Sequence, residues 1–220
     1  MDILFLAIIA IYIFMKLKSQ LGNVDEEEKK SIRAKLDSRM KEIQKEVVRQ
    51  AKEVVNPINP ENIAFKNQLT SGLDDSSKRE LDEILTKSNI TLDFFVEGAK
   101  SAFEMTLTAF AKNDLETLKT LLSPEIFNDF QGAIKEREAN KQKLTTNLIS
   151  IKNVEISQAF VKGSIATITL NIFSKQINYI CNENNEVISG LKDQINEMSD
   201  SWTFTRDIKS TNPNWQVSAT

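Results

Sequence analysis

The sequence predicts an α+β protein: an N-terminal membrane-anchor helix and a charged helical spacer, then helices packed on one face of a curved antiparallel sheet. Three observations predict it. Residues Ile3 to Met15 form an unbroken run of 13 apolar residues. Residues 56–60 read NPINP, where Pro57 and Pro60 each lack an N–H and push the preceding residue out of helical geometry. After about residue 142 the apolar period changes from about 3.6 to about 2, so helices come first and strands follow. The chain divides into an anchor (1–21), a spacer (22–60), amphipathic accessory helices (61–90) and an α+β domain (91–220).

The first segment is built from Ile3, Leu4, Phe5, Leu6, Ile8, Ile9, Ile11, Tyr12, Ile13 and Phe14, and is closed by Lys16 and Lys18. At ~1.5 Å per residue this run alone falls short of a ~30 Å hydrocarbon core. Leu17 and Leu21 extend it, and the two lysines can snorkel to the interface. A cleaved leader needs basic residues before the apolar run and small residues after it. Here Asp2 precedes and MKLKSQLG follows, so an uncleaved single-pass anchor is expected, with a leader or a buried or interfacial helix as alternatives. The lysines, with Lys29, Lys30, Arg33 and Lys35 beyond, place the long C-terminal part in the cytoplasm by the positive-inside bias.

Residues 25–55 carry Ile32, Leu36, Met40, Ile43, Val47 and Val54 at helical spacing, a narrow apolar seam. Nine Lys and Arg against eight Asp and Glu argue against a basic membrane-surface helix. A solvated spacer and a partner-binding or self-pairing helix both fit. Residues 61–90 offer two short helices, ENIAFKNQL and SSKRELDEILTK, split by SGLDD, with apolar faces too thin to stand alone.

From residue 91 the pattern strengthens. Phe95, Ala99, Ala102, Phe103, Thr106 and Phe110 share one helical face, while Glu97, Lys100, Glu104 and Thr108 line the other. Asn113 with Glu116 reads as the start of DLETLKTLL. Ser123 caps the next helix, with Pro124 at its first position and Ile126, Phe127, Phe130, Ala133 and Ile134 on its buried side. The strands NLISIKNVEI and SIATITLNIF follow, joined at Lys162-Gly163, with Ala166, Ile168, Leu170 and Ile172 on one face. NENNEV reads as a polar turn or loop. WTFTRDI puts Trp202, Phe204, Arg206 and Ile208 on one side, and NPN precedes a last strand, WQVSAT. Such a sheet commonly encloses a pocket against its helices.

Composition restricts the chemistry. There are 28 Lys and Arg against 31 Asp and Glu, a net charge of −3, so nothing pulls the chain globally toward nucleic acid. No basic run is interleaved with aromatics in the manner of an RNA-binding surface. The single Cys181 excludes an internal disulfide and any C-x-x-C motif, and reads as a small apolar strand residue. Histidine is absent, which removes Ser-His-Asp and Cys-His catalysis and every His-bearing zinc site. The six glycines fall into no nucleotide-binding loop. No catalytic residue, metal or cofactor is expected.

VEGAKSAFEMTLTAFAKNDLETLKTLLSPEIFNDF, TTNLISI, DSWTFTRDIKSTNPNW and the ending VSAT resemble the Tim44-like domain, over roughly residues 90–220. EGAKSAFE, WTFTRD and NPNW are the most specific elements. The family's namesake is a peripheral subunit of the mitochondrial inner-membrane import machinery, where it tethers an ATP-driven chaperone to the channel. Bacterial relatives carry the domain behind an N-terminal apolar segment, as here. The resemblance implies a cone-like, cystatin- or nuclear-transport-factor-like fold with an apolar pocket, and attachment to the inner membrane. It implies membrane lipid and other membrane or chaperone proteins as partners. In the mitochondrial protein, amphipathic helices just before the core are credited with membrane attachment, and residues 61–90 occupy that place. A mitochondrial presequence and a long chaperone-binding region are both missing from this sequence.

The resulting expectation is a noncatalytic scaffold or adaptor anchored in a bacterial inner membrane, its domain binding protein partners or lipid on the cytoplasmic face. Its implied setting is protein translocation or membrane-protein assembly. The alternative is a domain whose pocket binds a lipid or small hydrophobic ligand. In either case Phe95, Phe103, Trp202 and Phe204 are expected to line the pocket, with Arg206 as its charged neighbour. A guanidinium there must be paired, snorkel to the rim or meet an anion. Pairing with a helix carboxylate and contact with a lipid phosphate or a partner's carboxylate are the two readings.

Overall fold

The computed structural model describes residues 60–220. The predicted anchor (Ile3 to Lys18) and the spacer up to residue 59 lie outside the described residues. Among the described residues, no helix is long and apolar enough to cross a membrane. Five helices come first: α1 (Pro60–Leu69), α2 (Asp75–Ser88), α3 (Leu92–Ala111), α4 (Leu115–Leu121) and α5 (Pro124–Ala139). Five strands follow: β1 (Lys143–Lys162), β2 (Ile165–Cys181), β3 (Val187–Gly190), β4 (Asn196–Asp207) and β5 (Gln216–Ala219). From Asn67 to Thr220 the described chain forms one unit, so α2 belongs with the sheet.

Local chemistry sets the helix ends. Asp74 accepts from the Ser77 N–H at 2.7 Å and starts α2, and Asn89, at φ 53°, stops it in the left-handed conformation. Thr91 accepts from the Phe94 N–H to open α3. Ser123 and Pro124 open α5 as the sequence predicts. The start of α4 differs: its cap is Asp114, which accepts from the Thr117 N–H at 3.1 Å. Asn113 instead takes φ 56° between the two helices, a conformation that asparagine tolerates better than most residues.

The sheet is antiparallel, in the order β1-β2-β4-β5, with β3 pairing the end of β2. Leu170 lies opposite Trp202 and Ile168 opposite Phe204, so these four side chains share a face. β1 is longer than its sequence suggests, and its register against β2 slips at Ile149, Lys152 and Ser157, one extra residue each time. Those bulges add twist along an edge strand that would otherwise be long and flat, a form prone to pairing with other chains. Val187 begins a short strand where the sequence reads as a turn. Its last residue, Gly190, must be glycine: φ is +73°, and a Cβ would lie 2.2 Å from the Asn178 carbonyl oxygen.

The core lies between helices and sheet. Ala166, Ile168, Leu170 and Ile172 of β2 join Val154, Ile156 and Ala159 of β1 in the floor. Above them lie Phe95, Val96, Ala99 and Phe103 of α3 and Leu81, Ile84 and Leu85 of α2, all buried. Burying a side chain such as Phe103 contributes roughly 1.5–3 kcal/mol. α2 is fastened to the sheet edge, where Glu80 accepts a hydrogen bond from the Val161 N–H at 3.0 Å. α5 departs from its expected face. Ile134 is buried, Ile126, Phe127, Phe130 and Ala133 are half-buried, and the charged Arg137 is fully buried. The helix lies at the rim, held beside β5 by the Ser123 N–H donating to the Val217 carbonyl, so only its inner stripe reaches the interior.

Candidate functional site

The face of α3 and the alternation of β4 bring four of the five predicted site residues together. Phe103 meets Trp202 edge-on with ring centroids 5.0 Å apart, and Phe95 meets Phe204 at 5.9 Å. All four are at most 4 % exposed, so their rings touch one another as packed interior. Offset and edge-to-face pairs of this kind add about 0.5–1.5 kcal/mol each beyond burial. A fifth ring completes the group: Trp215, just before β5, lies 5.0 Å from Phe95. Sequence reasoning passed over Trp215 because it follows a turn, outside any periodic stretch. The Asn-Pro-Asn-Trp sequence was the one signal that could have found it.

Arg206 stands apart from these rings, at the end of β4 and opposite Ala166. Its Nη1 donates to the Ser88 carbonyl at 3.3 Å. Ser88 is the last residue of α2, where carbonyls lack intrahelical partners and the helix dipole places partial negative charge. This partner differs from the helix carboxylate of the first expected reading. A helix-terminal carbonyl, and no carboxylate of the described residues, lies against it. Its Nε is buried with no hydrogen-bond acceptor.

On its other side Arg206 borders a cleft of about 250 Å³ between the start of β2, the end of β4 and the 208–215 loop. Thr205, Asp207, Ser210, Asn212, Asn214 and Gln216 line it, with Ile165 as its apolar wall. The loop is organised by its own side chains. Ser210 Oγ accepts from the Asn212 N–H at 3.1 Å, and Asn212 Oδ1 accepts from the Asn214 N–H at 3.0 Å. The Lys209 backbone N–H, and then the Ser164 hydroxyl, hold the Asp207 carboxyl below its ordinary range, so it stays ionised. The lining thus takes in Arg206, the engaged carboxylate of Asp207 and several amides and hydroxyls. Chemically its amides and hydroxyls can both donate and accept hydrogen bonds. No cluster of three or more His, Cys, Asp or Glu that could bind a metal occurs among the described residues.

An uncharacterized protein of Rickettsia prowazekii (strain Madrid E) is 26% identical over 227 residues, covering 99% of this chain and 95% of its own length. Among solved structures, the intermembrane space region of the chloroplast protein ARC6 matches with TM-score 0.39 and 11% identity, over 56% of this chain and 92% of its own. The Tim44-like domain matches residues 83–220, which take in the last turns of α2, α3 to α5 and all five strands. The chain belongs to the Tim44-like domain family.

Proposed function

We propose that the protein is a noncatalytic adaptor that holds polypeptide partners at the cytoplasmic face of a bacterial inner membrane. Residues 1–21 anchor it, residues 22–60 hold the domain away from the lipid, and residues 91–220, with the helices of 61–90, bind the partner. The observation that carries the reading is a Tim44-like domain behind the 13 apolar residues that end at Lys16 and Lys18. Similarity to the Rickettsia protein extends through the same N-terminal segments. Protein translocation or membrane-protein assembly is the setting the family implies. The lipid-pocket alternative draws less support, because the rings that would line such a pocket are in contact with one another.

Affinity purification of the full-length protein from membranes tests this. The expected result is a stoichiometric protein partner. Recovery of extractable lipid with no protein would overturn the adaptor reading. Carbonate washing tests the anchor: the full-length chain should stay with the membrane, and a chain lacking residues 3–21 should wash off.

A further inference from the structure

We propose that the free edge of β4, over residues 196–202, takes up an extended basic polypeptide as an added strand, with a lysine or arginine of that strand beside Asp200. The inference rests on the adaptor reading and gives it a point of contact. β4 pairs β2 from Asn196 to Asp207, but β5 covers its other edge only at Thr203, Phe204 and Thr205. Along residues 196–202 no strand of the described residues pairs that edge, so alternate N–H and C=O groups face outward.

The two edges of the sheet differ. β1 carries bulges at Ile149, Lys152 and Ser157, and Glu80 accepts from the Val161 N–H. Both devices discourage a further strand. β4 runs against β2 without a register slip, and holds no proline, lysine or arginine from 196 to 202. Just before it, Leu191 and Ile195 are 59 % and 51 % exposed, apolar surface at the entry to the free edge. This regular, unprotected edge has the form that accepts a strand.

The side chains select the occupant. Met198 and Asp200 lie on the helix-facing side, where they are half-buried while Trp202 is buried, so the helices do not close over this stretch. Asp200 receives one long hydrogen bond, from Gln176 at 3.5 Å, and no cation pairs with it among the described residues. Glu197, on the opposite face, is already bridged to Lys152. A strand beside β4 places one side chain across from Asp200, with about 4.5–5.5 Å between Cβ atoms. Lysine or arginine there meets a poorly satisfied carboxylate, and apolar residues two positions to either side meet Met198 and Trp202. A second copy of β4 fits less well. The stretch holds two acids and no base, so pairing it with itself brings like charges together.

The test follows backbone amide exchange and ¹⁵N shifts of the full-length protein, in detergent micelles, with the peptide acetyl-TVTKTVT-amide. Its valines and lysine share one face. The comparison peptides carry glutamate in place of the lysine, or N-methyl groups on every second residue in each of the two phases. The lysine peptide should bind saturably and slow exchange at alternate amides between Glu197 and Ser201 at least about tenfold. The glutamate peptide should bind at least about tenfold more weakly, and N-methylation in one phase should abolish binding. Asp200→Asn keeps the shape and the backbone edge, and should make the lysine and glutamate peptides bind alike. Unchanged exchange at 197–201, binding that survives N-methylation in both phases, equal affinity of the wild type for the two peptides, or protection of those amides in a dimer of the protein alone would overturn the proposal. Capture of a protein partner that the lysine peptide does not displace rejects this site alone. Peptide uptake at β4 with no protein partner recovered from membranes rejects the adaptor reading alone.

Discussion

Arg137 grips Phe110 twice: its Nη2 donates to the Phe110 carbonyl at 2.6 Å, and its guanidinium carbon lies 4.9 Å from the centre of the Phe110 ring. The same nitrogen also bonds Asn113 Oδ1, so one side chain of α5 holds the end of α3 and the turn that follows. A C-terminal carbonyl of α3, an aromatic face and an amide oxygen thus all meet the guanidinium. Arg137 is 0 % exposed, and burial pushes its pKa down to about 9, with the neighbouring Glu138 charge pulling the other way.

Removing that grip should be expensive. Arg137→Ala removes a charged donor from the Phe110 carbonyl, which keeps its backbone N–H contacts from the helix end, takes the donor from Asn113 Oδ1, and opens a cavity. The expected loss is about 3 kcal/mol, read as a lower urea midpoint. The pH dependence follows from the lowered pKa. Above about 9 the unfolded chain, whose guanidinium keeps its ordinary, higher pKa, binds more protons at this residue than the folded one, so stability contributed here rises with pH. The difference in urea midpoint between the wild type and Arg137→Met should therefore move in favour of the wild type from pH 8 to pH 10.5. A difference that stays flat across that range would contradict the burial of the charge.

Glu80 and Val161 join helix to sheet edge through a hydrogen bond of 3.0 Å. β1 is an edge strand, so this N–H has no neighbouring strand to serve it. Glu80→Ala should cost about 1 kcal/mol of stability, and amide exchange at Val161 should speed up more than at the paired residues of β2. Unchanged exchange at Val161 would mean that water replaces the carboxylate without loss.

Much of this architecture was legible where burial is one-sided. The α3 face from Phe95 to Phe110 and the alternation of Ala166 to Ile172 were readable because each meets the core on one side at a fixed period. β1 was less so. Its extra residues at Ile149, Lys152 and Ser157 break the period of two, so a 20-residue strand resembled a shorter one. Arg137 was hidden by chemistry rather than period: a charged residue in KEREAN reads as solvated, and its partners are a carbonyl and a ring that sequence cannot place. The candidate site divides in the same way. The aromatic residues were found by alternation, whereas the amide-lined cleft arises from a loop whose shape depends on Ser210 and Asn212 bonding to its own backbone.

Asp200 carries the last prediction. It lies on β4 opposite Ile172, on the helix-facing side of the sheet below the aromatic core. Next to it β2 places two buried polar residues on the same face, Ser174 and Gln176, where hydrocarbon fills the preceding positions. Gln176 Nε2 donates to Ser174 Oγ at 2.8 Å and to Asp200 Oδ2 at a long 3.5 Å, and Gln176 Oε1 accepts from Asn178. Burial raises the pKa of Asp200 above its ordinary value, and the Gln176 bond offsets this in part. An acid raised in the folded state binds its proton more readily there than when unfolded. Its charge therefore destabilises the fold once pH exceeds the unfolded value near 3.8, and this penalty fades as pH falls below it. Asp200→Asn keeps the shape and an acceptor for Gln176 while removing the charge. The variant should melt at a higher temperature than the wild type at pH 7, and the gap should close as the pH is lowered toward 3.5. A variant less stable at pH 7 would show that the carboxylate is satisfied by interactions stronger than its cost of burial, and that this polar strip of the floor contributes to stability in its charged form.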